Sequence, residues 1–451
     1  MRFIKFLRSE TNLLSLKLII RGGIKMLQFI VSFFTTPAIV IGVVALIGLL
    51  AQRKAASEVL SGTIKTIVGF LILNIGIGAV VGTLDPVTKM FMRAYNLKGF
   101  LPFDELVVGS VAAKLGGETA LILGFGFLVN LLLARFTPWK YIYLTGHMLW
   151  IHAGCWAITL HALGLSSTAI IIIGSIIQGL YTTLFPAMAQ PFIRKITGSD
   201  DVAFGHGQTL LNVLGALIAK PFGNPQDSAE NVQASDKWSF FRDMTISMSL
   251  IMLIVTIPAA FIGGKSFVEQ ELSGGQNYLI FSLLTALKFT GGVLVLLQGV
   301  RMFIAEMIPA FQGIATKVVP GAKPALDCPV IYPYAPNSLM IGLISGTIGQ
   351  VLAIVLITLL RWPVPIPSMI VAFFASGSGA IFANAVAGRK GAWIGGFFWS
   401  FAGFLLSSWA MQVKLFGDLT ALGATGVGFV VPDGIAIAAL IRAIGALFGM
   451  P

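Results

Sequence analysis

Apolar stretches long enough to cross a bilayer follow one another through almost the whole chain, and this pattern removes most folds from consideration. A helical span needs about 20 apolar residues. Eleven segments are candidates, near 27–50, 60–84, 118–135, 141–163, 166–189, 240–263, 279–308, 338–360, 365–386, 391–412 and 427–448. Charged residues form 11% of the chain and apolar ones 56%, whereas a soluble domain carries about 25% charged residues. A water-soluble core is therefore excluded. The expected class is an all-α polytopic membrane protein of about 11 transmembrane helices with additional re-entrant segments. Lipid makes each buried polar group expensive, so function is to be sought in the few polar side chains within apolar segments.

Basic residues stand singly or in pairs at the ends of these segments. Arg53/Lys54, Arg135/Lys140, Arg194/Lys195, Lys317/Lys323 and Arg389/Lys390 fall on alternate loops, which the positive-inside rule makes cytoplasmic. The formal charge of +12 thus belongs to topology, and no nucleic-acid partner is expected. Lys89, Arg93, Lys98 and Arg361 fall on the opposite side. Residues 1–25, with Arg2, Lys5, Arg8, Lys17, Arg21 and Lys25, also break the alternation. They read as an N-terminal extension upstream of a start at Met26, and an amphipathic surface helix is the rival reading. The longest polar interruption, 198–237, reads as a loop rather than a domain. Cys155 and Cys328 lie in apolar settings without a CxxC pair. His147 and His152, five residues apart, would point about 140° apart on a helix, so neither a metal centre nor a cofactor is expected.

An offset of 223 residues superposes the two halves without a gap. Gly69 falls on Gly292, Gly76 on Gly299, Pro86 on Pro309, Asp104 on Asp327, Gly126 on Gly349, Trp139 on Trp362 and Gly154 on Gly377. The rare residue types and the shared layout carry the comparison: a long span, a proline, a Gly/Pro-broken segment with an aspartate, then two spans. Five crossings in the first half make the second inverted, the arrangement of many secondary transporters. The broken segments 99–117 and 320–337 are expected to be re-entrant, which would place Asp104, Glu105 and Asp327 around a solute near the midplane. The alternative leaves these carboxylates at a water interface as helix N-caps. His147 follows Gly146 and His206 follows Gly205 inside apolar surroundings. Binding and satisfied packing are both open for this pair of Gly-His steps.

These residues also carry a resemblance. SGTIKTIVGF at 61–70, LTGH at 144–147, FGHGQ at 204–208 and QGVRMFIAEMIPAFQGIATKVVPGAKPALDCPVIYPYAPN at 298–337 resemble the ascorbate-type IIC permeases of the bacterial phosphoenolpyruvate-dependent phosphotransferase system. The similarity runs from about Met26 almost to the C-terminus. It implies one IIC permease membrane domain over 26–451, multi-pass in the bacterial cytoplasmic (inner) membrane, surrounded by lipid and paired as a homodimer. It further implies an elevator-like mechanism, with scaffold spans about 27–84 and 240–308 and a substrate-binding transport part about 99–220 and 320–448. Substrate contacts are implied at Asp104, Glu105, His147 through Ile151, His206, Gly207 and Asp327.

The implied partners are cytoplasmic: a IIB protein whose phosphocysteine phosphorylates the bound substrate, and a IIA protein whose phosphohistidine recharges IIB. Asp327 is then the candidate to orient the acceptor hydroxyl, and Cys328 is not expected to be the phosphorylated thiol. The chain departs from the pattern where that family has uncharged polar residues in place of Asp104 and Glu105. It departs again where the family has glutamine in place of Ile151, His152 and Gly207. Two added carboxylates would repel anionic ascorbate, so a neutral polyol or sugar competes as substrate. The expected function is translocation of L-ascorbate or a related sugar or polyol, coupled to its phosphorylation by a separate IIB subunit. A proton-coupled secondary transporter working through Asp104, Glu105, His147 and His206 fits the unaided reading of the residues as well.

Overall fold

Every one of the eleven apolar segments contains a helix in the computed structural model, which describes residues 37–94, 99–231, 244–317 and 319–450. The expected extension 1–25 and the start of the first candidate span lie outside the described residues. In chain order the helices are α1 (Pro37–Ala51), α2 (Ala56–Ala94), α3 (Asp104–Phe136), α4 (Gly146–Ala162), α5 (Ser167–Thr197), α6 (Thr209–Ala219), α7 (Met244–Gly263), α8 (Tyr278–Lys317), α9 (Pro336–Leu360), α10 (Gly377–Gln412) and α11 (Pro432–Leu447). Five short strands stand among them: β1 (Leu101–Pro102), β2 (Tyr141–Tyr143), β3 (Ala203–Phe204), β4 (Lys323–Leu326) and β5 (Val427–Gly428). Six helical stretches among the described residues are long and apolar enough to cross a membrane. A seventh is added if Met248–Gly263 and Lys265–Leu272, bent by 105°, count as one span.

One of the six, Ala372–Gln412, is two antiparallel arms. Gly388 has φ 64° and ψ −156°, a conformation open only to glycine, and it reverses the chain between α10's arms. A side chain on Gly395 would meet Gly379 and Ala383 across the seam, whereas an unbroken helix would hold residues 379 and 395 about 24 Å apart. The connection 223–231 closes over this turn. Asp227 accepts from the Arg389 backbone N–H at 2.7 Å and from Arg389 Nε at 2.9 Å, and Asn384 Oδ1 accepts from the Ala229 N–H at 2.9 Å. The arms match the two spans read at 365–386 and 391–412.

The expected re-entrant segment 99–117 requires correction. Only residues 99–103 are extended, and Asp104 opens a continuous 33-residue α3 that runs straight through Gly116 and Gly117. Each interior glycine costs about 1 kcal/mol relative to alanine. That is too little to break a helix whose backbone bonds lipid could not replace. The segment 320–337 does stay irregular. β4 gives way to a 3-10 turn, Cys328–Tyr334, carrying Pro329 and Pro333, before Pro336 opens α9.

Helices α2 and α8 cross where both have glycine. A Cβ on Gly76 would strike the backbone of Leu296, and one on Gly299 would strike that of Leu73, two contacts that are equivalent at the 223-residue offset. Gly292 meets Ala79 and Val80 further along. Contacts falling in α8 as they rise in α2 mean that the helices run antiparallel, packed through small residues as membrane helices commonly are.

All strand pairing is parallel and joins the two halves. β4 lies between β2 and β3, with Tyr141, Ile142 and Tyr143 opposite Lys323, Pro324 and Ala325, and Ala203 and Phe204 opposite Ala325 and Leu326. β1 pairs with β5, and Phe100 bridges to Pro365. At the 223-residue offset β4 corresponds to β1, β3 to β5, and β2 to 364–366, so the two sheets have the same three components. Side chains alternate across the larger sheet as pleating requires. Ile142, Phe204 and Leu326 enter one buried apolar cluster, and Tyr143, Ala203 and Ala325 enter the other.

Replacing Gly388 with Ala is predicted to lower stability by about 1–3 kcal/mol, from backbone strain together with contact against the carbonyls of Asn224 and Asp227. Gly78→Ala, inside α2 with nothing within 4 Å of the added carbon, should leave stability unchanged or raise it by up to about 1 kcal/mol. Thermal unfolding in detergent compares the two, and equal melting temperatures would contradict the hairpin turn.

Candidate functional site

Parallel strands end at a common edge, so residues just beyond β2, β3 and β4 are brought together whatever their separation in sequence. The ladder continues past the strands, with Leu144 N–H donating to Ala325 O at 2.9 Å and Gly205 N–H to Leu326 O at 2.7 Å. His147 then stands in the first turn of α4, His206 in the turn before α6, and Asp327 at the N-cap of the 3-10 turn.

Their side chains converge. His147 Nδ1 lies 3.8 Å from Asp327 Oδ2, and His206 Nε2 lies 3.7 Å from Asp327 Oδ1. The imidazole centroids are 5.8 Å apart with an interplanar angle of 61°. These separations are too long for direct hydrogen bonds, so each polar group keeps capacity for a further partner. Asp327 Oδ1 is oriented by the Cys328 N–H at 2.6 Å. His206 is almost fully buried and its Nδ1 has no partner, while the His147 side chain is 43% exposed. Hydroxyl groups suit such a set, because neutral imidazoles donate or accept and a carboxylate accepts. A metal ion is the other chemistry on offer: one ligand atom from each residue lies within 4.8 Å of the others. The sequence names all three as substrate contacts, but the spacing of His147 and His152, on which a metal was weighed, gives no sign that these three could hold one.

The other sequence-predicted residues are placed differently. Asp104 is 5% exposed, and its Oδ1 accepts from the backbone N–H groups of Val430 (2.8 Å) and Val431 (3.1 Å), just before α11. Glu105 is half-buried and makes no hydrogen bond or ion pair among the described residues. Ile151 is buried in an apolar cluster, as are Met148 and Leu149. Gly207 packs where a Cβ would meet Val431 and the imidazole of His152. Cys328 is buried, with Tyr332 Oη donating to its sulfur at 3.3 Å.

Sequence reasoning missed Asp433. Fully buried at the start of α11, it accepts from Leu210 N–H at 2.8 Å, Thr209 N–H at 3.1 Å and Tyr181 Oη at 3.3 Å. It thereby caps α6 directly behind His206. Tyr181 stacks on His152 with ring centroids 4.3 Å apart. His152 holds the Met148 carbonyl through Nδ1 at 2.7 Å and leaves Nε2 buried without a partner. A lone carboxylate within the last apolar segment was the available signal.

Asp433→Ala should cost about 1–3 kcal/mol of stability, because two helix N–H groups and the Tyr181 hydroxyl lose their acceptor. Asp433→Asn keeps one acceptor oxygen and should cost less. Melting temperatures that are equal for the wild type and the alanine variant would remove the capping role.

Residues 32–433 match the family described as the PTS system sugar-specific permease component. The chain is similar to the protein named ascorbate-specific PTS system EIIC component of Mycoplasma pneumoniae, with 29% identity over 413 aligned positions that cover 80% of this chain. The chain spans 63% of that relative's length.

Proposed function

The chain belongs to the family of sugar-specific permease components of the phosphotransferase system, and from that premise we propose that it carries a small polyhydroxylated solute across the cytoplasmic membrane for phosphorylation by a separate subunit. The observation that carries the proposal is the meeting of His147, His206 and Asp327 at one strand edge. Two imidazoles facing one carboxylate can hold a vicinal pair of hydroxyls, one accepting from the imidazole side and one donating to Asp327. L-ascorbate, the solute in the relative's name, offers such a pair, and so do sugars and polyols. Asp327 would also orient the hydroxyl that attacks phosphorus, a step in which positioning and electrostatics do most of the work.

Inverted repeats belong to this reading, supported by the antiparallel crossing of α2 and α8 at equivalent glycines and by the two sheets of like composition. So does a count of about eleven crossings, supported by a helix in each apolar segment. An elevator movement would divide the chain into a scaffold containing α2, α7 and α8 and a moving part containing the strands and the site. A cavity of about 380 Å³ bordered by Arg301 and Ala305 of α8 and by Pro333 and Tyr334 of the 3-10 turn lies on that division. The protein would act as a homodimer with IIB and IIA partners in the cytoplasm.

A second reading, proton-coupled transport without phosphorylation, draws on the buried Asp433, Tyr181 and His152 behind the site. Vesicles separate the two. Purified protein alone should exchange labelled solute without accumulating it, and a metal chelator should leave that exchange unchanged. Adding IIA, IIB, the general phosphotransferase proteins and phosphoenolpyruvate should trap the solute as its phosphate. Accumulation of unmodified solute under a pH gradient alone would overturn the phosphotransferase reading and establish the proton-coupled one.

A further inference from the structure

Away from the solute site, a cleft of about 90 Å³ opens where α5, α6 and the first arm of α10 end together. Phe192, Leu217 and Val386 line it, and so do Lys195 and Lys220. Leu214, Leu217 and Ile218 recur on one face of α6 by helical spacing and are exposed, as is Phe222 in the turn that follows. In a chain built of membrane spans, an exposed apolar face of this kind meets acyl chains.

Both lysines of the cleft lack a compensating carboxylate among the described residues. The connections from 198 to 231 hold four acids, and each is already engaged. Asp200 accepts from Arg194 Nε at 2.7 Å and Gln190 Nε2 at 2.8 Å and also pairs with Lys323. Its partial burial would raise the carboxyl, but those donors outweigh it and hold the group well below the usual carboxylate range. Asp201 accepts from the Ser199 hydroxyl at 2.5 Å, Asp227 pairs with Arg389, and Glu230 accepts from the N–H groups of Asn337 and Ser338 at the start of α9. Neither Lys195 nor Lys220 has an ion pair among the described residues.

We infer that this cleft binds an anionic phospholipid, with acyl carbons against Phe192, Leu217 and Val386 and the headgroup phosphate on Lys195 and Lys220. Basic clefts between spans on the cytoplasmic side suit such headgroups, because lysine adds charge at the level of the phosphates while its stem lies along apolar surface. The site is independent of the solute reading and rests on different residues.

Native mass spectrometry of the full chain in neutral detergent tests the inference, with phosphatidylglycerol and phosphatidylcholine of identical acyl chains as probes. Phosphatidylglycerol should be retained preferentially, and inorganic phosphate alone should not compete it away. Lys195→Gln and Lys220→Gln should each weaken the preference about five-fold. The corresponding arginine variants should keep it, and Lys140→Gln, outside the cleft, should leave it unchanged. Equal retention of the two lipids, a preference that survives the double glutamine variant, displacement by free phosphate, or a cross-link showing a second copy of the chain on this face would each overturn the assignment.

Discussion

Three parallel strands, none longer than four residues, hold the whole site in register. Extended backbone cannot satisfy its own N–H and C=O groups, and lipid offers no water to do so. Such segments survive within a membrane domain only if they pair with one another. Here the pairing partner of β2 and β3 is β4, from the other half of the chain. His147 and His206 are therefore placed opposite Asp327 by backbone hydrogen bonds between halves. Neither half contains a complete site.

Four carboxylates, the buried Asp104 and Asp433 and the half-buried Glu230 and Asp327, share one arrangement: each accepts from backbone N–H groups at or leading into a helical segment. Asp433 serves α6, Glu230 serves α9, Asp104 serves the residues leading into α11, and Asp327 serves the 3-10 turn. Such pairing offsets the cost of burying charge and uses the positive end of the helix dipole. Asp327 differs from the rest in its surroundings. Two imidazoles stand just beyond hydrogen-bonding distance of it, which leaves room for a ligand where the other acids have only protein.

The spans were legible because hydropathy over some 20 residues is a long signal, and the α10 hairpin was legible as two apolar runs flanking Gly388. The trio was partly legible, from the two Gly-His steps and the aspartate in the broken segment. The strands were not, since two to four residues are too few to establish a period. Gly116 and Gly117 misled the reading of 99–117, because glycine marks a break in water more reliably than in lipid. Asp104 illustrates a different limit. A carboxylate in an apolar context announces a buried partner without naming it, and its partner turned out to be the backbone of Val430 and Val431, far along the chain. Asp433 went unremarked for the same reason, its partners lying far back along the chain in α5 and α6.

His147 and His206 are proposed to face a shared solute across Asp327. Histidine acylation by diethyl pyrocarbonate, located by mass spectrometry with and without saturating solute, tests it most directly. His161 is exposed at the far end of α4 and serves as the internal reference. Bound solute should protect His147 and His206 while His161 reacts at an unchanged rate. Equal labelling of all three histidines with and without a solute that is demonstrably transported would place the binding site elsewhere.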